Sequence, residues 1–440
     1  MTAMWISLLK STISRGVVMV ITVACSFTTT WLIIHNASAT VYSYYALLVT
    51  IPALLVFSDL GVGAAVVNAV ADEEVSGSRE RTQRVLLTAI RITTAVGIAI
   101  IFVDTIVYVG GWWPAVLGVP DTETGIGLAA FMAVLIYSIG LPFSIGQRVL
   151  LGARLNHLAV LTLGIQAPVT FLGVVLVFQL GLNPMPFLPV SFFLAGLISL
   201  AISAWLAARK ISPSVGWAVT RVLDVHGCRG DKVMNAGIPM LVQLVAAAVA
   251  IQSGRYVVSH LGTVPELAQY SLSAQIFTSV GVLVATAGMA LWPIFANDRA
   301  RGTGVSPQIV SLVFGGVAAA LCTIISIFAD YIFDALSGGS ITVSSGMLLA
   351  FSCMVCLQAA VYPLGMYLTD VKGLRLQVLP LIVMAISAVS LSFFTFPFLG
   401  PSGPIIATAA SIGVFQLVPY SAIVSIRRKS IAGLDAKVNV

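Results

Sequence analysis

Apolar runs of membrane-spanning length, separated by short polar or charged breaks, set the pattern of this chain. The first six lie near 16–35, 41–64, 85–109, 125–148, 157–181 and 186–208. The second six lie near 237–260, 267–296, 308–330, 343–369, 375–397 and 402–426. A helix rises about 1.5 Å per residue, so about 20 such residues cross a hydrocarbon core of about 30 Å. Inside lipid each backbone polar group must find a partner within its own segment, which makes every run a helix. The pattern therefore predicts an all-α polytopic membrane protein of about twelve transmembrane helices.

The longest polar break, 209–236, divides the chain. It separates an N-terminal six-helix lobe, 1–208, from a C-terminal six-helix lobe with a short tail, 237–440, and is itself a cytoplasmic linker. Faint echoes join the halves: Val41-Tyr42-Ser43-Tyr44-Tyr45-Ala46 opens span two, and Leu267-Ala268-Gln269-Tyr270-Ser271-Leu272 opens span eight. Two lobes of the same sense suggest a parallel repeat around a central cavity. Prolines 52, 142, 168, 239, 293, 363, 380 and 419 fall within spans and predict bends, since each removes an intrahelical bond.

Charge supplies the orientation. With the N-terminus inside, the inner segments collect 21 of the 22 Lys and Arg, and the outer connections carry Asp121, Glu123, Glu266 and Asp334 instead. That bias places both termini in the cytoplasm. Composition fits, with 59% hydrophobic and 9% charged residues. The net charge of +6 reports topology and attraction to anionic lipid rather than nucleic-acid binding. Cys353 and Cys356 form a C-x-x-C inside an apolar helix, without the histidine or second pair a metal or redox site needs. Lys10, Arg15 and Ala37-Ser38-Ala39 imitate a signal peptide, but the run from Gly16 to Ile34 has the length of a span.

Soluble-enzyme signatures are missing. There is no G-x-x-x-x-G-K-[ST] phosphate loop, the four histidines are dispersed, and Gly61-Val62-Gly63 is an isolated G-x-G. No outer connection is large enough for a catalytic domain. The expectation is a protein without enzymatic activity and without a resident cofactor or metal.

The one basic residue outside the inner segments is Arg255, deep in the seventh run. A guanidinium keeps its charge, and burying one at mid-bilayer costs about 2.5–3.5 kcal/mol on insertion scales. Gln252 and Ser259 share its helix face at i−3 and i+4, next to the small Ala248. The stripe reads as the lining of an aqueous cavity, with snorkelling to the outer headgroups as the alternative. Arg15 and Arg91 lie near inner ends of spans, where they either snorkel or form an inward-facing anion site. Asp59, in Phe57-Ser58-Asp59-Leu60-Gly61-Val62-Gly63, is a candidate ion-coupling acid or a structural cap. Asp104, in the outer third of span three, is a second candidate acid or simply an interfacial residue. Tyr270 and Tyr362 offer aromatic faces for sugar rings, with packing or interhelical hydrogen bonding as the alternative.

These pieces, in this order, resemble the polysaccharide-transport branch of the multidrug/oligosaccharidyl-lipid/polysaccharide exporter superfamily, the O-antigen-type flippases. The resemblance rests on the Phe57–Gly63 stretch, on Gly254-Arg255-Tyr256 followed by Ala268-Gln269-Tyr270-Ser271-Leu272, on Leu291-Trp292-Pro293-Ile294-Phe295-Ala296, and on Gly365-Met366-Tyr367-Leu368 with Gly373-Leu374-Arg375. One departure stands out: family members often carry an acid just before the arginine of span seven, where this chain has Ser253 and Gly254. The resemblance implies a multi-pass protein of the bacterial cytoplasmic membrane that flips a polyprenyl-diphosphate-linked oligosaccharide to the outer leaflet. Arg255, Gln252, Ser259, Tyr270, Arg15 and Arg91 would bind that substrate. Asp59 or Asp104 would exchange a coupling proton or sodium ion. Partners would be the lipid bilayer and a polymerase or glycosyltransferases of the same pathway, and no nucleic acid. A cation-coupled multidrug exporter and a peptidoglycan-precursor flippase are the rival readings.

Overall fold

The computed structural model describes residues 2–76, 79–120, 125–210, 214–222, 224, 238–289, 291, 295 and 305–438. Helices account for nearly all of them, and no strand occurs among the described residues. Eleven segments are long and apolar enough to cross a membrane. The last, Lys372–Arg428, is 57 residues long, far more than one crossing needs. It turns back at Gly400–Ser402, where Gly400 has a φ of +56°, and so holds both of the final expected runs. The chain divides into two compact units, Met1–Leu241 and Val242–Val440.

In the first unit, α1 (Thr2–Asn36) is followed by α2 (Ala39–Leu48), whose N-cap Ser38 accepts from the Val41 amide at 3.1 Å. The expected continuous span at 41–64 is broken. After α2 come the short α3 (Ile51–Leu54), begun by Pro52, and a 3-10 turn, Leu55–Asp59. Leu60 and Gly61 then adopt φ of +46° and +72°, and α4 (Val62–Ser76) sets off as a new helix. The physical reason is local: a proline cannot extend the preceding helix, and an Asp-x-Gly sequence favours a left-handed turn. Tyr137 secures the broken stretch, donating to the Leu55 carbonyl at 3.2 Å and sharing a 2.9 Å hydrogen bond with Ser58.

Next come α5 (Arg79–Val109), α6 (Trp113–Leu117) and α7 (Ile126–Gly140). Pro142 interrupts the fourth span with a 3-10 turn before α8 (Ser144–Gly152). The fifth span is likewise divided at Ile165, into α9 (Asn156–Gly164) and α10 (Gln166–Gln179). Then follow α11 (Pro184–Lys210) and α12 (Ser214–Thr220). The long α11 packs on α7, α8 and α10, while α1 packs on α9 and α10. Helix α11 also meets α9, where Ser199 and Ser203 donate to the Thr162 carbonyl and hydroxyl, each at 2.7 Å, as hydroxylated side chains do at close helix contacts. A cluster including Val62, Val66, Val85, Leu86, Val149 and Leu150 unites α4, α5 and α8, and Trp217 of α12 packs against it. The turn between α4 and α5 is laced by ion pairs, Arg79–Glu73 at 3.7 Å, Arg81–Asp72 at 3.2 Å, and Arg84–Glu80.

The second unit is entered along α13 (Ile238–Leu261) and continues with α14 (Val264–Met289) and α15 (Pro307–Ile327). The outer connection expected near 331–342 contains a helix, α16 (Ala329–Ser337), which buries Ala329, Phe333 and Ser337 at every fourth position. Then come α17 (Ser345–Tyr367) and α18 (Val371–Leu399), the latter capped by Asp370. The chain ends in α19 (Gly403–Ile412), a π-helical turn at Gly413–Leu417, and α20 (Val418–Val438). The π turn directly precedes Pro419, which cannot supply the amide an α-helix would need there. Pro363 and Pro380, by contrast, sit inside uninterrupted helices. Helix α17 is the centre of this unit, packed on α14, α15, α19 and α20, and α18 lies along α19.

Asp370 joins the two ends of this unit's final helices. Arg427 reaches it with both guanidinium nitrogens, Nη1 to Oδ1 at 2.6 Å and Nη2 to Oδ2 at 3.2 Å. Nearby, Gln377 donates to the Leu368 carbonyl at 2.8 Å and Gln243 to the Leu374 carbonyl at 2.7 Å. The expected linker, 209–236, lies largely outside the described residues, as does most of the Leu291–Ala296 stretch.

Candidate functional site

Arg255 sits on α13 with 9% of its surface exposed. It lies in a described span, Leu241–Leu261, with about six residues of helix left before the end. Helix α14 brings Tyr270 beside it, close enough for the arginine's charge to act on the phenol. From the other side, Pro404 of α19 comes up against Gly254, and Thr408 donates to the Ala250 carbonyl at 3.4 Å. Arg255 thus lies on the stretch of α13 that meets α14 and α19 of the same unit.

The residues expected to join Arg255 divide. Gln252, one turn earlier, is half-buried. Ser259 is buried and returns its hydroxyl to its own helix, donating to the Tyr256 carbonyl at 2.9 Å. Tyr270 is 5% exposed, and its ring packs edge-on against Phe351 with centroids 5.4 Å apart. That is the packing role weighed against stacking on a sugar. Tyr362 is similarly occupied: its ring lies over Gly288, leaving no room for a side chain there.

Arg15 is half-buried at the start of the first described span. Arg91 is spoken for. Its Nε donates to the Val222 carbonyl at 2.9 Å, and its Nη2 donates to the carbonyls of Arg221 at 3.0 Å and Asp224 at 2.5 Å. The guanidinium thus ties α5 to the backbone just beyond the end of α12, a clamp at the place where snorkelling and an inward-facing anion site were the two expectations. Arg221 in turn lies over the Trp217 ring at 4.7 Å.

The acids also separate. Asp59 closes the 3-10 turn at the end of its span rather than lying within a continuous helix, and its side chain is outside the described residues. Asp104 is 3% exposed on α5. Trp113, the first residue of α6, donates its indole N–H to Oδ1 at 3.1 Å, while Oδ2 is buried with no hydrogen-bond partner. A carboxylate so placed is costly when charged, and it can shed that cost by taking up a proton or a cation. The sequence signal for this arrangement is the pair of tryptophans, Trp112 and Trp113, eight and nine residues beyond the acid, although spacing alone does not show that the chain folds back. Among the described residues, no group of three or more His, Cys, Asp or Glu is arranged to hold a metal ion.

The architecture has known counterparts. An inward-facing multidrug resistance MATE family transporter of the MOP superfamily superposes with a TM-score of 0.65 at 12% identity, covering 96% of this chain and 99% of that one. The lipid II flippase MurJ in an inward closed conformation gives 0.66 at 13% identity, covering 94% and 87%. A MOP superfamily transporter from Pyrococcus furiosus, described as having a binding pocket of reverse polarity that suggests a different function, gives 0.60 at 13% identity, covering 97% and 96%. No family model matches the sequence, and no curated protein matches it. The likeness is one of fold: a multi-helix membrane architecture similar to those of a MATE family transporter and of MurJ.

Proposed function

We propose that this protein is a flippase that carries a polyprenyl-diphosphate-linked oligosaccharide from the inner to the outer leaflet of the bacterial cytoplasmic membrane by ion-coupled alternating access. The observation that carries the reading is the buried guanidinium of Arg255 in an apolar span. A planar, permanently charged donor suits the oxygens of a diphosphate, to which it can make paired charge-assisted hydrogen bonds. The lipid tail can stay in the bilayer throughout, so the chain needs to shelter only the headgroup. Gln252 adds a polar group one turn away, and Arg15 lies at the start of the first span. Asp104, buried with one carboxylate oxygen lacking a hydrogen-bond partner, or Asp59 would take a proton or sodium ion to reset the carrier.

The test is transport of a polyprenyl diphosphate bearing one labelled sugar, reconstituted in liposomes. Arg255→Ala should abolish flipping, and Arg255→Lys should retain a small part of it because a point charge cannot make the paired contact. Unchanged flipping in both variants would sink the reading. The second reading is cation-coupled multidrug export, favoured by the buried carboxylate of Asp104. It requires that a cationic amphiphile be moved by the same liposomes, and that Arg255→Ala leave that movement intact.

A further inference from the structure

Gly254 is the residue at which this chain departs from its family likeness, and the structure gives the departure a cause. A β-carbon built on Gly254 would stand 2.4 Å from the Tyr270 hydroxyl oxygen, 3.3 Å from its Cζ, and 3.3 Å from Pro404 Cβ. The phenol oxygen thus fills the volume that a side chain at 254 would take. Tyr270 cannot retreat easily, because its ring abuts Phe351, which is stacked on Phe277 at 5.6 Å with an interplanar angle of 11°. An acid next to the arginine would have no space here. A tyrosine from the neighbouring helix stands in that place instead, brought against the α13 backbone and within range of the Arg255 charge.

We propose that Gly254 and Tyr270 are positioning residues: the hydroxyl of Tyr270, seated in the notch left by Gly254, fixes the segment of α13 that carries Arg255 and thereby sets where its guanidinium meets an anionic headgroup. This rests on the reading of Arg255 as the diphosphate site. It replaces the sugar-stacking role expected of Tyr270 with one exerted through the arginine. It also makes a prediction about a pair of substitutions that neither residue suggests alone. In Gly254→Ala the new methyl collides with the hydroxyl, so α13 and α14 must part. In the double variant Gly254→Ala/Tyr270→Phe the colliding atom is gone, and the next ring atom lies at 3.3 Å, a tight but workable contact.

The experiment measures initial flipping rate against concentration of the labelled polyprenyl diphosphate for wild type, both single variants, the double variant and Arg255→Ala. Gly254→Ala should raise the apparent KM by about 10-fold with a smaller effect on maximal rate, as a displaced binding group does. Tyr270→Phe should raise it by about 3-fold, and the double variant should return to the Tyr270→Phe value rather than multiply the two losses. A merely structural role would lower the amount of active protein and the maximal rate while leaving KM alone. Should Gly254→Ala fail to accumulate, restored accumulation and KM in the double variant carry the test. A double variant no better than Gly254→Ala overturns the proposal, as does a wild-type KM in Gly254→Ala. Either result alongside a dead Arg255→Ala leaves the diphosphate site standing, whereas normal flipping by Arg255→Ala removes that site and the positioning role with it.

Discussion

Replacing Arg91 by methionine separates a clamp from a substrate ligand. The methionine keeps much of the apolar stem and removes three hydrogen bonds, to the carbonyls of Val222, Arg221 and Asp224. Hydrogen bonds from a charged donor contribute about 1.5–3 kcal/mol each. Arg91 is half-buried, however, and carbonyls freed at the edge of the bundle can rehydrate. Discounting for both, the net loss is about 2 kcal/mol, confined to the docking of α12 onto α5. A local opening made easier by about 2 kcal/mol enlarges the open population about 30-fold. Hydrogen–deuterium exchange in detergent micelles reads this directly, as faster exchange of the amides between Trp217 and Val222 with helices α7 and α11 unchanged. Arg91→Lys should fall between, since one ammonium cannot serve three carbonyls as a fork does. Lipid-diphosphate affinity should stay at the wild-type value. Unaltered exchange in Arg91→Met together with weakened substrate binding would refute the reasoning and return Arg91 to the binding site.

Asp370 both caps α18, accepting from the Gly373 amide at 3.3 Å, and pairs with Arg427. Asn keeps a cap and loses the ion pair, so Asp370→Asn should lower stability in detergent by about 1 kcal/mol; Asp370→Ala loses both and should cost about 2 kcal/mol. Equal thermal shifts in the two variants would show that the cap contributes nothing. Asp104→Asn can still accept from Trp113 but cannot bind a proton or cation as a carboxylate does. It should fold normally and lose transport driven by an imposed ion gradient, with unaltered gradient dependence as the contrary result.

The helical membrane architecture was legible because hydropathy reports spans directly: a run of about 20 apolar residues has few other uses. Internal detail was legible where a single residue decides the backbone. Pro142 and Pro52 mark interruptions that are present, yet Pro363 and Pro380 lie in helices that continue, because neighbouring helices can absorb the missing bond. The break at Leu60 was hidden by the apolar residues on both sides, which read as one run although Asp59-Leu60-Gly61 carried a turn signal. Helix α16 escaped for a similar reason, since hydropathy sees a nine-residue amphipathic helix as a connection. At the site, Arg255 was conspicuous because charge in an apolar run is scarce. What surrounds it was not legible, because the approach of Tyr270 to Gly254 is a fact about two helices crossing, and no spacing along the chain encodes it. The partners of Arg91 were hidden on the same ground, since they lie more than 120 residues away in sequence.

The left-handed pair at Leu60 and Gly61 has a mechanical meaning. Two helices that meet at such a joint do not share a hydrogen-bond ladder, so a torque applied to α4 is not passed rigidly into α3 and α2. A glycine pair would make the joint loose. Leucine at φ +46° has a much narrower basin, costing about 1–2 kcal/mol, and its side chain is packed against the cluster around Val62 and Val66. The joint is therefore a stiff one that holds a set angle until that packing yields, and exchanging Leu60 for glycine would turn a bracket into a swivel.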